Sequence, residues 1–206
     1  MNEQISVLKN DLAFMRALAQ EGRTPPPLGG AVLVSAGAFY GLASVVQWAA
    51  MVRLLPLSQS MVAGSWLLAT VLFMICLFFL KRRLARTASA QTPGSRAVGL
   101  AWAGVGWSIF ALFAAVAIVC WRTHSGIPTL LLPSIILALY GAAWTVATAV
   151  SGLKWTRLAA AGSYAMALVT AWMSVDPSVM LVYAAALVLL AVIPGIVLMR
   201  QPASAA

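Results

Sequence analysis

The chain has 206 residues, 63% apolar and 8% charged, with a formal charge of +9 and a mean hydropathy of +0.96. Soluble domains run at roughly 45–50% apolar and about 25% charged. A soluble globule, a disordered chain, a collagen and a disulfide scaffold are therefore excluded, and an all-α, polytopic membrane bundle remains.

The first 27 residues carry Glu3, Lys9, Asp11, Arg16, Glu21 and Arg23, with no cleavage pattern after a short apolar core, so they are not a signal peptide. Ile5, Leu8, Leu12 and Met15 recur at helical spacing and predict an amphipathic helix over about 2–20, with Lys9 and Arg16 on its polar side. Such a stripe binds the membrane interface, a cytoplasmic protein or its own copy. Pro25, Pro26 and Pro27 then break the helix before the first apolar run.

Six runs free of Asp, Glu, Lys, Arg and His follow: Leu28–Met51, Ser60–Leu80, Ala97–Trp121, Leu130–Ser151, Leu158–Val175 and Pro177–Met199. The hydrocarbon core needs about 20 helical residues, and lipid leaves no partner for an unpaired backbone group, so each run reads as a transmembrane helix. The expected organisation is a cytoplasmic helix and break over 1–27, a six-span bundle of three hairpins over 28–199, and a short tail over 200–206. Eleven Lys and Arg residues fall on the side of the N-terminus and two, Arg53 and Arg122, on the other. Positive-inside bias then places both termini in the cytoplasm.

At the span ends, Ser58 or Ser60 is positioned to cap the second span and Asp176 the last, with Pro177 behind it. Pro194-Gly195 should bend the last span. Gly37-x-x-x-Gly41, Ala31-x-x-x-Ser35, Gly104-x-x-x-Ser108 and Gly162 are the candidate close-packing sites. The openings Pro133-Ser-Ile-Ile-Leu and Pro177-Ser-Val-Met-Leu form a faint repeat.

Chemistry is sparse. The acids are Glu3, Asp11, Glu21 and Asp176, none inside a span, which argues against an ion-coupled carrier. His124 is the single histidine and cannot build a zinc or bis-histidine haem site unaided. With this threading Cys76 falls near the cytoplasmic end of its span and Cys120 near the outer end of the next, too far apart in depth for a disulfide. No serine has a His and carboxylate to activate it, and no phosphate loop or dinucleotide fingerprint occurs. Neither enzymatic activity, nor a cofactor, nor a metal is expected. The basic residues flank spans, so nucleic acid is not an expected partner.

Two sets of residues remain. Lys81, Arg82, Arg83 and Arg86 form the densest basic run and are candidates for contact with anionic lipid or a partner. Tyr40, Gln47, Trp107, Tyr140 and Trp144 are candidates to line a cavity at depth, with helix–helix hydrogen bonding the alternative.

The stretch Asp11-Leu-Ala-Phe-Met-Arg-Ala-Leu-Ala-Gln-Glu-Gly-Arg, then Pro27-Leu-Gly-Gly, resembles the opening of uncharacterised bacterial membrane proteins of about 200 residues. The ending Leu181-Val-Tyr-Ala-Ala-Ala and Pro194-Gly-Ile-Val-Leu-Met-Arg is similar too. The three-hairpin layout also looks distantly like the bacterial acid-resistance membrane proteins. These resemblances imply a bacterial inner-membrane location and no particular activity. The expectation is an accessory, scaffold or regulatory membrane protein that engages a partner or itself; the alternative is a passive or carrier-type transporter of a small neutral or lipid-like solute.

Overall fold

A computed structural model describes residues 27–86 and 93–200. The described residues form six helices and no strand: α1 Pro27–Met51, α2 Gln59–Arg86, α3 Pro93–Thr123, α4 Leu132–Ser151, α5 Lys154–Trp172 and α6 Val179–Arg200. A 3₁₀ turn, Ile127–Leu131, leads into α4, and a π-helical turn, Val188–Val192, interrupts α6. The predicted amphipathic helix, with Ile5, Leu8, Leu12 and Met15, lies outside the described residues.

Five helices are long and apolar enough to cross a membrane; α5 is not among them. The physical difference is polar content. Lys154, Thr156 and Arg157 fall in its first turn, and Ser163 and Thr170 follow further on. The predicted run Leu158–Val175 therefore starts about one turn late and ends late, because charge marks where lipid begins, not where a helix begins. For the same reason α2 continues past Leu80 through Lys81, Arg82, Arg83 and Arg86.

The ends follow local chemistry. Helix α1 closes in a Schellman motif: Leu54 N–H donates to Ala49 O at 2.9 Å and Arg53 N–H to Ala50 O at 3.1 Å, with Arg53 left-handed at φ 59°. His124 (φ 51°) ends α3 in the same way, Ser125 N–H donating to Cys120 O at 3.3 Å, and Gly152 (φ 68°) ends α4. Ser58 Oγ accepts from Met61 N–H at 3.3 Å and caps α2. Asp176 Oδ1 accepts from Ser178 N–H at 2.8 Å and Ser178 Oγ–H at 2.7 Å, so it caps the turn that leads into α6.

Neighbouring helices run antiparallel. Helix α1 lies between α2 and α6; α3 packs on α4, α4 on α5 along its length, and α5 on α6. Glycine sets the closest approach. A β-carbon on Gly30 would stand 2.5 Å from Gly195 O, and one on Gly195 would stand 2.6 Å from Gly30 O. Backbone therefore touches backbone where α1 crosses α6. Gly37 repeats the contact seven residues on, 2.6 Å from Val192. Gly41 and Gly104 meet nothing within 4 Å. Of the predicted glycines, Gly37 and Gly162 face a neighbour and Gly41 and Gly104 do not, and Gly30 and Gly195 were not among them. Because Gly37 is used within the chain, that face of α1 is closed to a second copy.

Burial is uneven. Half of the α4 span and 44% of the α1 and α6 spans are buried, against 6% of the α2 and α3 spans. The core cluster runs through α4, α5 and α6 with Leu33, Val98 and Val105, while Leu67, Leu68 and Phe79 of α2 and Leu100, Phe110 and Ile118 of α3 point outwards.

Candidate functional site

The interior is organised by a proline. Pro194 has no N–H, so the Leu190 carbonyl one turn back loses its helical donor. In the low dielectric of the core an unpaired carbonyl is costly. Two adjustments answer this. The helix widens into the π turn, with Ile193 N–H donating to Val188 O. The indole N–H of Trp144 then donates to Leu190 O at 3.0 Å from α4. Trp144 is 1% exposed and is the largest fully buried side chain.

Around it stands an aromatic seam. Trp102 of α3 meets Tyr140 and Trp144 edge-on, both at 5.3 Å between centroids, and Trp144 meets Trp155 of α5 at 5.7 Å. Edge-to-face geometry places a positive ring edge on a negative face and fixes these helices in rotation. The Trp155 indole nitrogen is the one buried side-chain polar atom among the described residues without a partner. A second group joins α1 to α2: Tyr40 packs on Trp66 at 6.2 Å and on Phe73 at 5.7 Å. There Trp66 Nε1–H donates to Gln47 Oε1 at 2.7 Å, and the Tyr40 hydroxyl donates to Thr70 Oγ1 at 3.4 Å.

Tyr140 of α4 and Tyr183 of α6 are buried residues that make no hydrogen bond to another described residue, but their hydroxyl oxygens are not fully enclosed as the Trp155 nitrogen is. Between α4 and α5, hydroxyls make a polar seam. Ser134 and Thr170 share a hydrogen bond of 3.1 Å at one end, and Thr148 donates to Thr156 at 2.8 Å at the other. Tyr164 lies over Gly141, where a β-carbon would come within 2.7 Å of the ring.

Four of the five proposed cavity residues thus face other helices: Tyr40, Gln47, Tyr140 and Trp144. Trp107 does not. It is 73% exposed on the outer side of α3, edge-on to Phe110, and lines no interior space. Its depth was legible in the sequence, but its side of the helix was not. Lys81, Arg82 and Arg83 are exposed at the end of α2, with the Arg82 guanidinium 5.3 Å above the Phe78 ring; Arg86 lies in the same helix, its side chain outside the described region. Trp102 and Trp155, expected from the sequence at the inner headgroup level, pack against the core instead, and Tyr183, one of the deep polar residues that the sequence offers for a cavity or for helix cross-linking, is buried.

Cys76 and Cys120 are free thiols. Among the described residues no group of three or more His, Cys, Asp or Glu side chains comes together. The arrangement offers flat aromatic faces and neutral hydroxyls, which bind by stacking and hydrogen bonding. Comparison with protein-family models, with curated proteins and with solved structures gave no match.

Proposed function

We propose that the chain is a six-span inner-membrane protein without enzymatic activity, one that acts by holding a partner. The partner is a second copy or another protein, engaged through the amphipathic segment around Ile5, Leu8, Leu12 and Met15 and the basic run Lys81, Arg82, Arg83 and Arg86. The observation that carries this reading is the contrast in burial: the apolar stretches of α2 and α3 are only 6% buried, and they add little to the core beyond Val98, Trp102 and Val105 of α3. Two helices that contribute so little to their own bundle present a wide apolar surface for lipid or for another membrane helix. The deep polar groups, by contrast, are spent on neighbouring helices, as Gln47, Trp66, Trp144 and the Ser134–Thr170 pair illustrate.

Support for a sixth span comes from the α4–α5 pairing. Ser134 meets Thr170 at one end and Thr148 meets Thr156 at the other, so α5 retraces the depth that α4 traverses. Its hydroxyls stay bonded inside the bundle, which lowers the cost of placing them in lipid. The basic residues fit a cytoplasmic N-terminus and C-terminus. Reporter fusions after Gly152 and after Val175 test the threading, with a cytoplasmic signal expected for the first and an external one for the second.

Crosslinking in membranes, with and without residues 1–21, tests the partner reading. A covalent dimer or a discrete heteromeric adduct that is lost on truncation is expected; recovery of the monomer alone from both chains refutes it. One observation favours a second reading, transport of a small neutral solute: the Tyr140 and Tyr183 hydroxyls, on buried residues between helices, make no hydrogen bond to another described residue. Solute flux in reconstituted liposomes that is lost in Tyr140→Phe and Tyr183→Phe would establish it.

A further inference from the structure

Helices α5 and α6 leave between them an open, apolar groove of about 390 Å³, lined by Trp155, Leu158, Leu189, Ile193, Pro194 and Val197 among others. The groove lies along the irregular part of α6: Leu189 and Leu190 of the π turn and Pro194 after it are among its lining.

One end of it is basic. Lys154 lies one turn from Leu158 on α5, and Arg200 lies one turn beyond Val197 on α6, spacings that bring each towards the face that lines the groove. Trp155 and Val197 line the same groove, so the two helices are in register there and both cations flank the same end. Both are exposed, and neither pairs with an acid; Asp176, the one acid among the described residues, is at the opposite end of both helices. Helix α5 also starts without a side-chain cap and without an acid in its first turn. Its first N–H groups and their partial positive charge are therefore left towards the same place.

We propose that this groove holds one anionic phospholipid, an acyl chain lying against Leu158, Ile193 and Val197 and the phosphate held between Lys154 and Arg200. Such a site requires only that α5 and α6 stand in a bilayer; it is independent of the proposed partner and of the basic run at 81–86. A flat annular contact would prefer no lipid over another. A concave apolar wall that ends in two unpaired cations selects for negative charge, with each cation near the surface strengthening retention about fivefold.

The test is native mass spectrometry of the detergent-purified full chain, titrated with phosphatidylglycerol and with phosphatidylcholine of identical acyl chains. The expected result is saturable binding of one phosphatidylglycerol, at least about fivefold preferred over phosphatidylcholine. The preference should disappear in Lys154→Gln/Arg200→Gln and persist in Arg122→Gln and in Arg82→Gln/Arg83→Gln. Leu158→Trp, which fills the groove, should weaken retention of both lipids. A second measurement needs no charge variant: acyl-brominated phosphatidylglycerol should quench wild-type tryptophan emission more than that of Trp155→Phe. Equal retention of the two lipids by the wild type, a preference that survives loss of Lys154 and Arg200, or a preference lost with Arg82 and Arg83 instead, would each overturn the proposal.

Discussion

Two tryptophans one helix apart carry opposite expectations. Trp144 supplies the donor that Pro194 withdraws from the Leu190 carbonyl, whereas the Trp155 indole N–H has no acceptor. Trp144→Phe should destabilise the bundle by about 1–3 kcal/mol, the usual cost of leaving a buried polar group unpaired. Trp155→Phe removes an unpaired donor and should be neutral or slightly stabilising. Thermal denaturation in detergent, followed by size-exclusion chromatography, separates the two. The glycines divide in the same way. Gly195→Ala places a methyl against the Gly30 carbonyl and should cost about 1–3 kcal/mol, while Gly41→Ala meets open space and should leave the melting temperature unchanged or raise it.

At the scale of the element, the helices are joined end to end by polar contacts that depend on register. The Ser134–Thr170 bond ties the start of α4 to the end of α5 across 36 residues of sequence. A double-mutant cycle with Ser134→Ala and Thr170→Val should return a coupling of about 0.6 kcal/mol, the average for such bonds in membranes. The two Pro-Ser openings that look alike in sequence have different roles: Ser134 bonds to another helix, while Ser178 bonds to Asp176. Hydrogen bonds from the Ser178 hydroxyl and then the Ser178 N–H hold the Asp176 carboxyl below its usual pKa. A depressed carboxylate stabilises the fold in full above its unfolded value of about 4. That contribution is lost as pH falls through the lower, folded value. Acid denaturation should therefore include a small limb below pH 4 that Asp176→Ala abolishes, readable from melting temperature against pH.

For the whole molecule, the decisive feature is that the outer surface is more apolar than the interior is large. Leu67, Leu68, Phe79, Leu100, Phe110 and Ile118 all point outwards from α2 and α3. Patches of this extent are not carried in water by soluble monomers. Exchange of the purified chain from detergent into plain buffer should precipitate it, and analytical ultracentrifugation showing a stable monomer in plain buffer would contradict the membrane assignment. On the proposed partner-holding function, crosslinks within the membrane should concentrate beside α2 and α3.

Composition and hydropathy by themselves determined the class: a chain 63% apolar and 8% charged must fold as membrane-embedded helices, because lipid accepts no unpaired backbone. The apolar runs located the helices to within about a turn, except that α2 continues to Arg86 beyond Leu80, and Pro194 announced an irregularity in the last. Facing was beyond the sequence. Depth along a helix follows from counting residues, but rotation about its axis is set by which neighbour fits, and Gly, Ala and Trp are too frequent here to mark one side. That is why Gly30 and Gly195 rather than Gly41 make the closest crossing, why Trp107 looks outward while Trp102 looks in, and why α2 and α3 remain at the edge. Only tertiary packing decided which carbonyl Trp144 would reach and left an apolar groove between α5 and α6.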